Sequence, residues 1–171
     1  AALSRIQTLL DLDRTAEALE ELEKIRGHSL NPVKIDLIIS KVLLRIKEPG
    51  KARDILTRVS EQTGDSEALY MLALLAFQEG DLSAALHYLE KIGAEDEEFE
   101  EAVYLQTRIY QKLGDNLGAI TLLEQYIRSE DSRSPLFYAL LSSFYQAEDE
   151  IQQAITLMKE AITLYRYNKQ L

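Results

Sequence analysis

Apolar residues recur along the chain with the spacing of amphipathic helices. Between residues 66 and 80 they fall mostly three or four positions apart, which favours a helix with one buried face. This first series consists of Leu69, Leu72, Ala73, Ala76 and Phe77. Gly80 can end the helix by adopting a left-handed backbone, and Asp81 or Ser83 can cap the next helix. A second apolar series follows at Ala85, Leu86, Leu89 and Ile92. The pattern therefore predicts a pair of helices joined by a short turn.

This helical hairpin is repeated, and one alanine early in the second helix marks each copy. The marker alanines are Ala18, Ala52, Ala85, Ala119 and Ala154. Their spacings of 34, 33, 34 and 35 residues keep the flanking apolar residues in register. Repeats of this period indicate stacked hairpins. We predict five of them, with about ten helices, in repeats of approximately 1–31, 32–65, 66–99, 100–133 and 134–168.

Small residues also lie midway along the first helices, at Ser40, Ala73, Thr107 and Ser142. Two helices can approach closely only where a side chain is nearly absent, so these positions and the marker alanines are expected to be helix contacts. A plain helical bundle is the alternative fold, but a bundle has no reason to keep small residues at a fixed spacing.

The pattern resembles the tetratricopeptide repeat (TPR), a helix–turn–helix unit of 34 residues. The family's order of large, Leu, small and aromatic residues matches Tyr138, Leu141, Ser142 and Tyr145, followed by Ala154 and Met158. There are departures: the slot of the signature Trp holds Asp36, Leu69, Val103 or Tyr138, and one turn reads Lys47-Glu48-Pro49-Gly50. The resemblance implies an all-α, right-handed α-solenoid forming a single domain over 1–171. The Leu-rich style is similar to TPR regions of bacterial exported proteins.

Composition and charge exclude several classes of function. The 171 residues include 29 acids against 19 Lys and Arg, giving a net charge of −10. This charge disfavours nucleic acid and anionic membranes as main partners. The chain has no Cys, which excludes disulfides, thiolate metal sites and a Cys nucleophile. No apolar run reaches the roughly 18 residues of a membrane helix, so we expect no direct membrane insertion. The compartment, cytoplasmic or periplasmic, stays open.

Motifs for catalysis or cofactor binding are absent from the sequence. His28 and His87 lie far apart, and neither has a second histidine at helical spacing. There is no glycine-rich phosphate loop, and the serines have no histidine and acid in a recognisable arrangement. We therefore predict no enzyme, no catalytic residues, no cofactor and no metal site.

The inner face of the predicted stack suggests a binding site, because stacked hairpins place one stripe of every first helix there. The candidate groove residues are Lys34, Lys41, Arg45, Tyr70, Phe77, Tyr104, Arg108, Gln111 and Lys112. Five Lys or Arg against two acids, Glu67 and Glu101, make this stripe positive in a negative chain. Aromatic residues and Arg often anchor interfaces. The alternative is that apolar members such as Leu37 and Phe77 belong to the core between repeats.

The resemblance implies a protein partner, since TPR proteins commonly bind peptides or extended segments in this groove. Some of them hold a chain's C-terminus through Lys, Asn and Arg. Here Asn occurs only at 31, 116 and 168, outside the middle of any first helix, so that clamp is not expected. The charge and aromatics of the groove residues predict an extended, acidic–apolar protein segment as ligand.

The last predicted helix, 150–167, suggests an alternative function, because it has apolar residues on all sides. The terminal helix of a solenoid needs a polar outer face. Without one, the chain is expected either to be a piece of a longer TPR array or to associate end to end, as a homodimer through this C-terminal helix.

Overall fold

The structure, a computed structural model, describes residues 2–128 and 134–168. Within those ranges the chain forms ten α-helices. They are α1 (Ala2–Asp11), α2 (Thr15–Arg26), α3 (Pro32–Arg45), α4 (Pro49–Thr63), α5 (Ser66–Glu79), α6 (Leu82–Leu89), α7 (Phe99–Leu113), α8 (Asn116–Arg128), α9 (Pro135–Ala147) and α10 (Ile151–Asn168). Each odd-numbered helix and the next even-numbered one form a predicted hairpin. The predicted boundary between the fourth and fifth repeats lies outside the described residues.

The chain divides into two compact units, Ala1–Glu98 and Phe99–Leu171. In the first unit, each of the helices α1 to α5 packs against the next one along the chain. In the second unit, α7 packs on α8, α8 on α9, and α9 on α10. Within each unit every hairpin therefore packs against its sequence neighbour, as stacked repeats do. The prediction of a single domain stays a prediction.

The five hairpin turns share one backbone conformation. The residue five positions before each marker alanine has a left-handed backbone, with φ between 58° and 83°. These residues are Asp13, Lys47, Gly80, Gly114 and Asp149. Gly80 confirms the prediction of a left-handed helix end. The turn at Lys47 reaches the same conformation without glycine, although L side chains adopt it at a cost.

Hydrogen bonds repeat with the turns. In each hairpin the residue after the left-handed position donates its N–H to the carbonyl five residues before it, at 2.8–2.9 Å. The bond from Asp81 N to Ala76 O and the bond from Glu48 N to Leu43 O are two examples. This bond closes a helix C-terminus in the Schellman manner. Because backbone atoms make it, the turn keeps its shape when its side chains change.

The marker alanines are almost completely buried, none more than 4% exposed. The small residues of the first helices are buried as well, as predicted: Ser40, Ala73, Thr107 and Ser142 are at most 5% exposed. Close packing at these positions supports the hairpin interpretation and disfavours a plain bundle. One detail of the second helices differs from the sequence expectation. The helix α6 ends at Leu89, yet Ile92 beyond its end is buried.

Asp36 is the buried charge of the first unit. It occupies the slot that holds Leu69, Val103 and Tyr138 in later repeats and is only 5% exposed. Arg26 Nε on α2 lies 2.5 Å from Asp36 Oδ1. That contact is an ion pair and not a hydrogen bond, since neither Nε nor Oδ1 has a hydrogen-bond partner. The hydrogen bond between the two residues runs from Arg26 Nη2 to Asp36 Oδ2 at 3.3 Å. Arg58 Nη2 on α4 donates to Asp36 Oδ2 at 3.1 Å. The carboxylate therefore joins three consecutive helices.

Candidate functional site

A cavity of about 410 Å³ opens between α1 and α3 in the first unit. Its apolar lining comes from Ile6 and Leu10 on α1 and from Ile38 and Val42 on α3. Its polar lining comes from Gln7, Lys41 and Arg45. Two of the predicted groove cations thus stand beside an apolar depression, which can receive an apolar side chain next to an acidic one.

Lys41 connects this cavity to the next first helix. Its ammonium forms an ion pair with Glu67 of α5, and its side chain is 57% exposed. An ion pair at such exposure contributes little to stability. The contact nevertheless places residues of α3 and α5 on one surface of the unit.

Arg45 connects the cavity to the first hairpin. Its Nη2 donates to the carbonyl oxygen of Leu10 at 2.5 Å and lies 3.7 Å from Asp13 Oδ1. The guanidinium has further N–H donors, and the side chain is half exposed. The positive charge predicted for this surface is thus partly balanced by Glu67, which the sequence interpretation counted, and by Asp13, which it did not.

We use the name first-helix face for the surface of the first unit formed by the cavity residues of α1 and α3 and by Glu67 of α5. The cavity residues are Ile6, Gln7, Leu10, Ile38, Lys41, Val42 and Arg45. Lys34 is exposed in the first turn of α3, and its backbone N–H is capped by the Asn31 side chain. Tyr70 and Phe77 are half-buried on α5. Leu37 is only 6% exposed and belongs to the core, as the alternative interpretation expected.

In the second unit, the remaining candidates lie on one side of α7. Tyr104, Arg108, Gln111 and Lys112 are all exposed, with Tyr104 at 38%. Their spacing of four, three and one residues keeps them on one helical stripe. The structure therefore leaves these side chains accessible, as a binding role requires.

Sequence reasoning missed the part of the site that comes from α1. Ile6 and Leu10 were assigned to the core of the first repeat, which the structure confirms for Ile6 at 3% exposure, while Leu10 is half-buried. The groove stripe was followed only through the four later repeats. The signal was present, because Leu10 lies four residues after Ile6 and Val42 lies four after Ile38. Residues at that spacing lie on one face of their helix, so each pair could have been placed on a common face.

A second cavity, of about 390 Å³, lies among α8, α9 and α10 in the second unit. At this cavity the Tyr145 hydroxyl donates to Glu124 Oε1 at 2.5 Å. Burial, and after it the hydrogen bond to Glu124, raises the pKa of Tyr145 to about 12. This contact ties α9 to α8, so we interpret it as part of the packing between repeats.

Each of the ten helices in the described ranges falls short of the length and apolar character that a membrane crossing needs.

Comparison with known proteins supports the repeat interpretation. Residues 76–144 match the family model described as "Tetratricopeptide repeat". A search of curated protein sequences finds no match.

Several solved structures share the fold. A crystal structure of MamA superposes with a TM-score of 0.71 at 20% identity, covering 97% of this chain and 97% of that one. The TPR-like repeats of a putative kinesin light chain from Podosopora anserina give a TM-score of 0.63 at 17% identity, covering 99% and 95% of the two chains. A tetratricopeptide repeat protein from Parabacteroides merdae gives 0.66 at 17% identity, covering 93% and 65%.

These matches confirm the fold class predicted from the sequence, an all-α array of TPR-like hairpins. At such identities the solved structures show the fold alone. Together with the family model, which matches residues 76–144, the repeated turns and the buried marker alanines, they show that the chain has a TPR-like fold.

Proposed function

We propose that this protein binds an extended, acidic–apolar segment of a partner protein on the first-helix face. The TPR fold supports a protein–protein interaction scaffold in general. The observation that carries the finer proposal is the cavity between α1 and α3, with its apolar lining and the two cations Lys41 and Arg45. The proposed role is non-catalytic, as the sequence predicts.

The chemistry of the cavity defines the ligand. An apolar side chain entering it would cover the half-buried Leu10 and Ile38 and remove their remaining apolar surface from water. A neighbouring carboxylate would reach the remaining N–H donors of Arg45 or the exposed ammonium of Lys41. An extended chain presents such side chains at regular intervals, whereas a folded convex surface would not enter a cavity of this size.

Residues outside the cavity would lengthen the binding surface. On α5, Tyr70 and Phe77 are half-buried, so each offers one side of its ring to a ligand. Lys34 adds a cation at the start of α3. In the second unit we propose Tyr104, Arg108, Gln111 and Lys112 as a further contact stripe, to be tested separately.

The first experiment is a selection from a random library of displayed peptides on the full chain. We expect recovered peptides to be enriched in Asp or Glu next to Leu, Ile or Val, and depleted in Lys and Arg. Enrichment of basic peptides would contradict the proposal.

The second experiment measures the affinity of the most strongly selected peptide by fluorescence polarisation. Lys41→Glu with Arg45→Glu should weaken binding at least tenfold, since it replaces attraction by repulsion. Lys24→Glu on α2 is the matched control, because Lys24 is 67% exposed outside the first-helix face and its change has the same sign. Circular dichroism must show that all variants keep their helices. Equal losses in the double variant and the control would contradict the assignment of the site.

A third variant tests the second unit. Tyr104→Ala with Arg108→Ala should weaken binding of those selected peptides that contact α7, because it removes an aromatic ring and a cation from the stripe. No change for any peptide would remove the α7 stripe from the proposal and leave the cavity between α1 and α3 as the site.

A further inference from the structure

One of the two cations of the proposed site already has a carboxylate as its partner. Glu67 forms an ion pair with the ammonium of Lys41, which lines the cavity between α1 and α3. Glu67 itself comes from the first turn of α5, in the next hairpin. A ligand carboxylate that approaches Lys41 therefore meets a carboxylate of the protein in the place it would take.

The pair of Lys41 with Glu67 can be displaced, as a comparison with the ion pairs of Asp36 shows. The Asp36 side chain is only 7% exposed and contacts arginines of α2 and α4, so breaking these contacts would leave a charge buried. The side chains of Lys41 and Glu67 are 57% and 33% exposed, so water can hydrate both charges when the pair opens. Ion pairs at such exposure are weak.

Glu67 also keeps a favourable position once Lys41 is released. It lies in the first turn of α5, where the positive end of the helix dipole stabilises a carboxylate. The exchange requires only that two partly exposed side chains turn, so the helices stay in place. The ligand nevertheless trades one ion pair for another at Lys41, and its net gain there is small.

Arg45, the second cation, is held in a different way. Its Nη2 donates to the carbonyl oxygen of Leu10, a neutral backbone atom. The carboxylate of Asp13 lies 3.7 Å away, and its side chain is 93% exposed. The guanidinium carries five N–H donors, so the bond to Leu10 leaves donors for a ligand. A ligand carboxylate therefore meets less competition at Arg45 than at Lys41.

We propose that Glu67 is a specificity-determining residue of the site. Because it holds Lys41, it makes Arg45 the main anchor for a ligand carboxylate, and its own charge repels acids that approach Lys41. The site thus selects where the acid stands in the segment as well as its presence. This inference rests on the proposed function, since it concerns the same ligand and the same cavity.

Fluorescence polarisation with the most strongly selected acidic peptide tests the role of Glu67. Glu67→Gln frees Lys41 and should tighten binding about two- to fivefold, the range expected for an exposed ion pair. Glu79→Gln is the matched control, because it removes the same charge from the same helix and also breaks an ion pair, that with Arg53 of α4. It lies about 18 Å along α5 from Glu67, beyond the roughly 8 Å over which salt screens charges, so its effect should be smaller.

A double-mutant cycle shows whether Glu67 acts through Lys41. In the natural chain, Lys41→Gln should weaken binding less than Arg45→Gln does, because Glu67 already holds Lys41. In the Glu67→Gln chain, the loss caused by Lys41→Gln should be about twofold larger than in the natural chain, since the two residues are coupled. Circular dichroism must show that every variant keeps its helices.

Three results would overturn this inference and leave the proposed function standing. The first is equal affinity of Glu67→Gln and Glu79→Gln for the peptide. The second is a larger loss from Lys41→Gln than from Arg45→Gln in the natural chain. The third is the same loss from Lys41→Gln in both chains, which would mean that Glu67 acts by its charge alone. In contrast, normal binding by the chain with Lys41→Glu and Arg45→Glu, or selection of basic peptides, would overturn both proposals.

Discussion

The second and third hairpins have the same backbone turn but different residues at two key positions. In the third hairpin, Leu69 fills the first-helix slot and Gly80 takes the left-handed turn position. In the second hairpin, Asp36 fills the same slot and Lys47 takes the same turn position, with φ of 62° against 83°. Both slots are about 95% buried.

The difference shows which features of a repeat are interchangeable. Asp36 is tolerated because Arg26 and Arg58 satisfy its charge from the two flanking helices. Lys47 is tolerated because the turn is held by backbone bonds, such as that from Glu48 N to Leu43 O. The marker alanine, in contrast, is retained in all five hairpins. Close helix contact is thus the stricter requirement, and the slot and the turn accept more than one residue type.

The largest expected effect comes from breaking the Asp36 contact. Asp36→Ala should lower the free energy of unfolding by about 3 kcal/mol, since it removes the partner of two arginines and leaves a cavity. Asp36→Leu should recover most of that loss, because Leu69 occupies the same slot and a well-packed apolar residue can replace a buried ion pair. Urea unfolding of both variants measures the difference. If Leu were as damaging as Ala, the two slots would not be equivalent.

The fifth hairpin extends the comparison to another buried polar contact, that of Tyr145 with Glu124. Tyr145→Phe should cost about 1 kcal/mol at neutral pH, because a hydrogen bond to a carboxylate is lost. The raised pKa of Tyr145, about 12 against an ordinary 10, favours the protonated folded state. This contribution is therefore complete below pH 10 and is lost as the pH rises towards 12.

The pH dependence gives the sharper measurement. By pH 11 the wild type should lose about 1 kcal/mol more stability than Tyr145→Phe, relative to their values at pH 8. Urea titrations at both pH values, on both proteins, isolate this residue from the other tyrosines. Parallel pH profiles would mean that the Tyr145 hydroxyl does not change its ionisation on folding.

The smallest effects on stability come from substituting the left-handed turn residue of each of the two hairpins. Gly80→Ala should cost about 1 kcal/mol, because alanine is strained at positive φ even though a Cβ there would meet no atom within 4 Å. Lys47→Gly should instead stabilise by about 0.5 kcal/mol, the relief of strain exceeding the added chain entropy. Thermal unfolding distinguishes the two signs. A loss at both positions would show that the turns are not equivalent.

Much of the fold could be predicted because the periodic residues act locally. The marker alanines and the left-handed Gly80 have steric roles that are visible in one hairpin, and repetition multiplies the signal. The role of Lys47 could not be predicted, since lysine has no preference for a left-handed backbone and the bond that holds it is formed by the backbone. The Asp36 contact was also hidden, because its arginines come from two other helices at positions that read as solvent-exposed.

The candidate site was predictable to a smaller extent. Lys41 and Arg45 were identified, since a stripe on a first helix follows from the helical period. Their partners Glu67 and Asp13, and the cavity with α1, depend on how neighbouring hairpins meet. That geometry requires the three-dimensional arrangement, which residue spacing alone does not supply.

Chemical-shift mapping by NMR tests the proposed function most directly. Amide spectra of the labelled protein would be recorded with and without the most strongly selected peptide. We predict that the largest shifts fall in the first helices, centred on α1 and α3 around Leu10, Lys41 and Arg45. Shifts concentrated in the second helices α2 and α4, with those residues unchanged, would contradict binding on the first-helix face.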